Sequence, residues 1–251
     1  MKVKVSIVSY SNTLPFLYGL QHSDILNEID LQLDIPSKCA EKLLTNQVDI
    51  GLVPIAILPE MKEHHIITDY CIGATKKVNS VVLYSDVPLY KIDTILLDYQ
   101  SKTSINLVQV LAKQFWKIAP TFKNASVGFE QKIGGSIAGV IIGDRTFDLP
   151  KTFKYQYDLA EEWIRVTQLP FAFACWVSNK KMPEEFIQKL NAALKFGVEN
   201  IAQSVNLSTN QHIDKSKLEN YLIHDISYPL NNEKRKSIDL FLRFLRENVN
   251  I

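Results

Sequence analysis

The amino-acid sequence predicts an α/β protein of two lobes, with mixed, mostly parallel sheets and a cleft between the lobes. Short apolar runs alternate with helical patterns along most of the chain, which is typical of sheets covered by helices. A length of 251 residues suffices for two modest lobes, each with a core of its own. The sequence has no low-complexity linker, so we expect the chain to pass between the lobes within ordered segments.

Seven apolar runs are short enough to be strands rather than helices. In chain order they are Val3–Val8, Ile29–Ile35, Val48–Val53, Ser80–Ser85, Thr94–Leu97, Ala138–Ile142 and Phe171–Val177. Between them, the spacing of apolar residues predicts helices at Ser37–Leu44, Thr103–Trp116 and Leu159–Thr167. Two longer amphipathic helices are predicted in the C-terminal segment, over "PEEFIQKLNAALKFGVENIA" and "NNEKRKSIDLFLRFLRENV".

Two places where an apolar strand gives way to polar turn residues suggest how the chain divides between the lobes. These are Val81–Tyr90 and Phe173–Asn179, and we expect the chain to cross there. Residues 1–85 and 176–251 then form lobe one, and residues 86–175 form lobe two.

The charge and cysteine content exclude several classes of partner. Lys and Arg total 28 against 27 Asp and Glu, so no global field attracts nucleic acid or an anionic membrane. Three widely separated cysteines, without CxxC spacing, predict neither a disulfide framework nor a zinc site. The N-terminus lacks the apolar core of a signal peptide, and no apolar run approaches the roughly 18 residues of a membrane span. We therefore expect a cytoplasmic protein; the sequence gives no indication of its oligomeric state.

Common motifs for metals and nucleotide cofactors are missing from the sequence. The five histidines show no HxxxH or HExxH spacing, and neither a Walker loop nor GxGxxG occurs. The segment "GGSIAG" has Ala138 where the nucleophile-elbow pattern GxSxG requires glycine. The sequence thus predicts no cofactor and no metal.

Hydroxyl-bearing turns follow several of the predicted strands. In open α/β sheets, ligands collect outside the carboxyl ends of strands, where helix N-termini offer free N–H groups to anions. The candidate ligand contacts in and around these turns are Ser9, Asn12, Thr13, Pro54, Ser80, Ser101, Thr103, Ser104, Gly143 and Asp144. Together they favour a small anionic ligand in the cleft.

The competing interpretation of each hydroxyl is that it only caps a helix. Ser, Thr and Asp are the ordinary residues at helix starts, so Ser101, Thr103, Ser104 and Asp144 are also explained without a ligand. Asn12 is harder to explain in this way, because its neighbours already supply capping hydroxyls. Asn12 is therefore the strongest candidate for a ligand contact.

Six blocks of the sequence resemble, in order and spacing, the chorismate dehydratase family of the futalosine route to menaquinone. The blocks are "VSYSNTLPF", "DIGLVPIA", "DYCIGATKKVNSVVLYS", "LLDYQSKTSINLVQVL", "GVIIGDRTF" and "YDLAEEWIRVTQLPFAFACW", and together they extend over Met1 to Val177. The resemblance implies a type II periplasmic-binding-protein-like fold and a cofactor-free loss of water from chorismate. It also implies a catalytic role for Asn12 and a doubly negative small-molecule substrate.

Two alternatives and two departures from the family pattern accompany this resemblance. The alternatives are a sister enzyme of the pathway, 1,4-dihydroxy-6-naphthoate synthase, and a non-catalytic cytosolic protein that binds small anions. Ser11 stands where the family usually has a bulky apolar residue, so we expect the turn that carries Asn12 to be reshaped. Gln168 replaces a common glycine and lacks its freedom at positive φ, so we expect an altered turn there too.

Few residues in these blocks are good bases. Asp49, Asp69 and Asp98 lie where strands meet turns and are expected to be structural, and no histidine falls in any block. This scarcity favours the enolpyruvyl carboxylate of chorismate itself as the base, with an enzyme carboxylate as the alternative.

Overall fold

Two sheets organise the part of the chain that the structure, a computed structural model, describes: residues 2–249. The strands are β1 (Val3–Val8), β2 (Ile29–Asp34), β3 (Ile50–Pro54), β4 (His65–Ala74), β5 (Val81–Ser85), β6 (Thr94–Leu97), β7 (Thr121–Asn124), β8 (Ile137–Ile142), β9 (Tyr155–Asp158), β10 (Phe171–Ser178) and β11 (Ser227–Pro229). The helices are α1 (Leu14–Gln21), α2 (Pro36–Leu44), α3 (Lys102–Val110), α4 (Leu159–Thr167), α5 (Glu184–Glu199), α6 (Ile201–Ser204), α7 (Lys215–His224) and α8 (Asn232–Val249).

Both sheets are mixed. The first has six strands in the order β11-β4-β10-β3-β1-β2, in which β1 lies parallel to β2 and β3, and β10 runs antiparallel between β3 and β4. The second has five strands in the order β7-β6-β8-β5-β9, in which β6 lies parallel to β7 and β8. The predicted α/β class with mixed sheets is confirmed, but the expectation of mostly parallel sheets is wrong. Five of the nine described strand pairings are antiparallel, because β10 and β5 each run opposite to both of their neighbours and β11 runs opposite to β4.

Each of the seven predicted strands is present, with ends within two residues of the predicted ones. The predicted helices are present as well, and α3 continues into a π-helical segment, Leu111–Trp116. Four strands were not predicted from the sequence: β4, β7, β9 and β11. Among the described helices, none is both long and apolar enough to cross a membrane.

The chain passes from the first sheet to the second between β4 and β5, and it returns between α4 and β10. The division at residues 85 and 176 stays a prediction, but strand membership favours earlier boundaries, because β5 lies wholly in the second sheet and β10 wholly in the first. The Asp158 carboxylate joins the segment between β4 and β5 to the N-terminus of α4 by hydrogen bonds. It accepts N–H bonds from Val78 and Asn79 at 3.0 and 2.7 Å, and from Ala160 and Glu161 at 3.1 Å each.

A continuous apolar core joins the two sheets where the chain returns to the first. Trp163 on α4, Phe171 on β10 and Phe241 on α8 are fully buried in it. Their rings meet edge to face, with centroids 5.3 Å apart for Trp163–Phe171 and for Phe171–Phe241. The two sheets are therefore coupled through packed side chains as well as through the crossing segments.

Helix α1 packs against α5 at very short range through two glycines. A Cβ atom on Gly19 would lie 2.0 Å from the Ala193 carbonyl oxygen, and one on Gly197 would lie 1.8 Å from the Pro15 carbonyl oxygen. Neither position has room for a side chain. Helix α1 begins directly after the 3-10 turn Ser11–Thr13. The close contact between α1 and α5 therefore fixes the position of that polar turn.

The expectation of an altered turn at Gln168 is wrong. Gln168 ends α4 in the left-handed conformation, with φ 59° and ψ 19°, which is the conformation that glycine adopts freely. Its side-chain amide donates to the Arg165 carbonyl at 3.0 Å. The glutamine therefore keeps the helix end in place and bears a strain of roughly 1 kcal/mol.

Candidate functional site

A cavity lies where the carboxyl ends of strands from the first sheet meet the second sheet. Its volume is about 50 Å³, room for a few water molecules, so the two sheets must move apart before a substrate-sized ligand can enter. Its lining residues are Val8, Tyr10, Asn12, Pro36, Pro54, Ile72, Val78, Ser80, Val81, Ser101, Ser104, Ile142, Gly143, Phe173 and Ala174. None of them carries a formal charge, so the polar surface of the cavity consists of hydroxyls, an amide and backbone groups.

Asn12 lies in this cavity, in the turn between β1 and α1. Its side-chain oxygen Oδ1 is buried and has no hydrogen-bond partner within the described residues. Its backbone carbonyl accepts a hydrogen bond from the Tyr228 hydroxyl at 3.1 Å. This bond fixes the backbone of Asn12 and leaves its side-chain oxygen available to a ligand. An unpartnered buried acceptor costs about 1–3 kcal/mol, which a ligand donor would recover.

The rest of that turn is satisfied by the protein itself. The Thr13 hydroxyl lies 2.6 Å from the Val8 carbonyl and 2.8 Å from the Tyr10 carbonyl. The Ser11 hydroxyl and N–H donate to the Asp144 carboxylate at 2.9 and 3.1 Å. Ser11 therefore ties the turn after β1 to the turn after β8, across the two sheets.

Four of the predicted ligand contacts lie outside the cavity. Ser9 is exposed, and with Thr13 and Asp144 it lines a separate hollow on the far side of the turn. Burial raises the pKa of Asp144, and the two bonds from Ser11 oppose that shift. The buried Thr103 hydroxyl accepts from the Ala56 N–H at 3.2 Å, which is a structural bond between α3 and the end of β3. A ligand role for these four residues stays a prediction.

Ser101 caps α3, and both Ser101 and Ser104, which lies in the first turn of the helix, line the cavity. The Ser101 oxygen accepts from the Ser104 N–H at 3.3 Å and from the Ser104 hydroxyl at 3.2 Å. Because its oxygen already accepts two bonds, the Ser101 proton remains available for an acceptor in the cavity. Capping and ligand binding are therefore compatible at this position.

Tyr10, which the sequence analysis did not select, forms the wall between the cavity and the separate hollow. Its hydroxyl donates to the side-chain oxygen of Gln100, so it bridges from the first sheet to the turn after β6. Its ring fills the space beside Gly143, where a Cβ would come within 2.6 Å of it. Gly143 has φ 62°, so both conformation and space require glycine there. Burial raises the pKa of Tyr10.

Tyr221 was also missed by the sequence analysis. It is buried on α7, and its hydroxyl lies 2.7 Å from the Ser80 oxygen. Its partner is 141 positions away in the chain, so no local pattern reveals the pair. Ser80, Pro54 and Gly143, which the sequence predicted as ligand contacts, do line the cavity.

No carboxylate from the described part of the chain lines the cavity. Asp98 is fully buried beside it, and its oxygens accept from Arg145, from the Gln100 N–H at 2.8 Å and from the Ile142 N–H at 3.3 Å. Burial raises the pKa of Asp98, and the Arg145 charge and these bonds oppose the shift. Asp49 pairs with Lys180, and Asp69 is exposed. Within residues 2–249, no cluster of three or more His, Cys, Asp or Glu is arranged to hold a metal ion.

Comparison with known proteins identifies relatives in sequence. A family model described as menaquinone biosynthesis matches residues 3–247. Chorismate dehydratase of Thermus thermophilus is 24% identical over 210 residues, which is 75% of this chain and 75% of that protein.

Solved structures with the same fold share little sequence with this chain. A protein from Archaeoglobus fulgidus superposes with a TM-score of 0.72 at 11% identity, over 100% of this chain and 98% of that one. The periplasmic aliphatic sulphonate binding protein SsuA of Escherichia coli gives a TM-score of 0.62 at 16% identity, over 100% and 88% of the two chains. The predicted periplasmic-binding-protein-like fold is confirmed.

Proposed function

The chain belongs to the menaquinone biosynthesis family, and from this premise we propose that it is a chorismate dehydratase. The reaction removes the C3 hydrogen and the C4 hydroxyl of chorismate as water and gives 3-[(1-carboxyvinyl)oxy]benzoate. Aromatisation of the ring makes the reaction strongly favourable, so the enzyme needs only to lower the barrier. The dehydratase of Thermus thermophilus, with 24% identity, supports this choice within the family.

One observation carries the proposal: the buried, unpartnered Oδ1 atom of Asn12 in an uncharged cavity ringed by serine hydroxyls. The Asn12 amide would orient the C4 hydroxyl, which is the leaving group. Ser80, Ser101 and Ser104 would hold the two carboxylates through hydroxyl and backbone N–H donors. Serine donors suit a substrate that must enter and leave a closed site, because they bind carboxylates less tightly than a buried ion pair.

The base in this proposal is the enolpyruvyl carboxylate of the substrate. It takes the C3 proton, the electrons of the C3–H bond form the new ring double bond, and the C4–O bond breaks with loss of hydroxide. The proton and hydroxide together leave as water. The absence of any carboxylate or histidine among the cavity-lining residues supports this route. Holding the carboxylate against C3 in this way is the kind of positioning that supplies about 7–11 kcal/mol of a barrier.

Exclusion of water would come from contacts that bridge the two sheets around the cavity. The Tyr10 hydroxyl reaches Gln100, and Ser11 reaches Asp144. Both contacts must break if the lobes separate to admit a substrate, and they form again on closure.

The experiment is to incubate the purified protein with chorismate and to follow the substrate and product by mass spectrometry. Formation of a product lighter by one water, at a rate that depends on enzyme concentration, supports the proposal. Binding of chorismate without chemical change would identify the protein as a small-anion-binding module instead. Conversion of a cyclised futalosine derivative, with chorismate left intact, would identify it as the sister enzyme of the pathway.

A further inference from the structure

The C-terminal part of the chain, which supplied no candidate site residue in the sequence, places a buried hydroxyl directly behind the cavity. Tyr221 on α7 is 4% exposed, and its hydroxyl lies 2.7 Å from the oxygen of Ser80, which is 1% exposed. Ser80 lines the cavity, whereas Tyr221 does not. The tyrosine therefore reaches a ligand through the side chains beside its hydroxyl, which are Ser80 at hydrogen-bond distance and, less closely, Asn12.

The direction of this hydrogen bond follows from the chemistry of the two groups. A phenol is a stronger acid than an aliphatic alcohol, so Tyr221 donates and the Ser80 oxygen accepts. Burial raises the pKa of Tyr221, with a smaller opposing effect of the bond to Ser80, so the phenol keeps its proton through neutral pH. Tyr221 is thus a donor whenever the protein is folded.

The remaining freedom of Ser80 is the rotation of its hydroxyl. Its backbone is already fixed, because the Gly143 N–H donates to its carbonyl at 2.9 Å. With its oxygen accepting from Tyr221, the Ser80 proton is directed away from the tyrosine and towards the cavity. A chain of aligned hydroxyls also polarises the last O–H bond, which strengthens its donation to an anion.

We propose that Tyr221 is a positioning residue that fixes the Ser80 hydroxyl as a hydrogen-bond donor to a carboxylate of the substrate. The inference rests on the proposed dehydratase function and adds a residue to it from outside the matched sequence blocks. It assigns Ser80 the substrate-binding contact and Tyr221 the orientation of that contact.

The test is a double-mutant cycle with Tyr221→Phe, Ser80→Ala and the double variant, assayed for product formation from chorismate. Removing the tyrosine hydroxyl is expected to lower kcat/KM about tenfold, chiefly through KM, and Ser80→Ala is expected to do at least as much. In the S80A background, Tyr221→Phe is expected to have little further effect, because the closer group through which it acts is gone. Tyr84→Phe removes a hydroxyl from another buried tyrosine, away from the cavity, and serves as the matched control.

A merely structural role for Tyr221 would give a different result. It would lower the thermal midpoint in both backgrounds and would reduce kcat/KM by the same factor with or without Ser80. That pattern, or wild-type kcat/KM in Tyr221→Phe, overturns the inference.

The two proposals fail in distinguishable ways. If the wild-type protein binds chorismate without converting it, the proposed dehydratase function is wrong. The role of Tyr221 can still be tested in that case, by measuring the dissociation constant of chorismate for the same four proteins. Absence of both turnover and binding overturns both.

Discussion

The turn after β1 and the turn after β6 have similar sequences of small polar residues, yet the protein uses them differently. After β6, Asp98 has Arg145, Ser101 has Ser104 and Thr103 has Ala56 as hydrogen-bond partners. After β1, Ser11 and Thr13 are likewise satisfied, but the side-chain oxygen of Asn12 is buried without a partner. Polar residues at strand ends are thus common and do not by themselves indicate a ligand. A buried polar atom without a hydrogen-bond partner at such a position does indicate one.

The physical reason is the cost of leaving a buried acceptor without a donor. Bonds within the protein repay desolvation during folding, so satisfied groups serve stability. A group left unsatisfied weakens the fold and is tolerated where a ligand completes it. The contrast predicts that changes in the turn after β1 alter turnover. Changes in the turn after β6 should alter stability and, at Ser101 and Ser104, which line the cavity, also substrate binding.

The largest expected effect is on turnover in Asn12→Ala. We expect kcat to fall by roughly 100-fold or more, since a preorganised group at the reacting oxygen is lost. Stability should be unchanged or higher, because the unpartnered oxygen is removed. Product formation by mass spectrometry and thermal unfolding measure the two quantities, and Asn124→Ala, on the exposed edge strand β7, is the control. Near-wild-type turnover in Asn12→Ala would show that the residue has no part in the mechanism. The difference proposed between the turn after β1 and the turn after β6 would then be wrong.

Asp98→Asn is expected to affect stability most. The change removes one of the two carboxylates that pair with the partly buried Arg145, the other being Glu130, and the free energy of unfolding should fall by about 2 kcal/mol. Turnover of the protein that remains folded should persist, because Asp98 does not line the cavity. Chemical denaturation and assays at low temperature separate the two effects.

Asp49→Asn and Asp69→Asn provide the comparison for that variant. Both carboxylates are at least partly exposed, so each change should alter stability by less than about 1 kcal/mol and leave turnover intact. Abolished turnover in any one of these three variants, with the fold retained, would identify an enzyme carboxylate as the base.

Ser101→Ala and Thr103→Val separate the two roles of the turn after β6, which are stabilisation of the fold and binding of the substrate. Each should lower the free energy of unfolding by about 1 kcal/mol or more, since Thr103→Val loses the bond from Ala56 and Ser101→Ala loses both bonds from Ser104. Only Ser101→Ala should also weaken the binding of chorismate, by a few-fold, because only Ser101 faces the cavity. Calorimetric titration measures the affinities for chorismate. An equal loss of affinity in both variants would show that the assignment of Ser101, but not Thr103, to the cavity lining is wrong.

The smallest expected effect is that of pH on turnover. Among the cavity-lining side chains Tyr10 can ionise, and burial raises its pKa, so kcat/KM should be flat between about pH 6 and pH 9. Stability should behave differently at higher pH. Burial also raises the pKa of Tyr221 and Tyr228, so above about pH 10 the folded chain binds more protons than the unfolded chain and stability falls. A bell-shaped rate profile centred near neutral pH would point to an enzyme base.

The sequence was sufficient where structure follows from local pattern. Strand β1 and helix α4 were predicted with their observed bounds, because an apolar run and an amphipathic repeat determine them. Strand β4 was missed because Asp69 and Tyr70 interrupt its apolar pattern, and β7 and β9 were missed because they are short edge strands with polar residues. Edge strands are half exposed, so their sequences carry little periodic signal.

The site was predictable to the extent that single turns form it. Asn12 stood out because its neighbours were expected to cap the helix, and the structure places it in the cavity. The expected capping is wrong, since neither the 3-10 turn Ser11–Thr13 nor α1 has a side-chain cap. Thr103 and Ser104 are adjacent at a helix start, and only the orientation of α3 determines that Ser104 lines the cavity while Thr103 bonds Ala56. Tyr10 and Tyr221 depend on contacts across 90 and 141 positions, which no local pattern encodes.

The glycine contact between α1 and α5 has a consequence for engineering the cavity. Because the backbones touch there, a methyl group added at Gly197 must push α1 outward, and the loop that carries Asn12 moves with it. A substitution at this buried position therefore offers a way to shift Asn12 without replacing any group that lines the cavity.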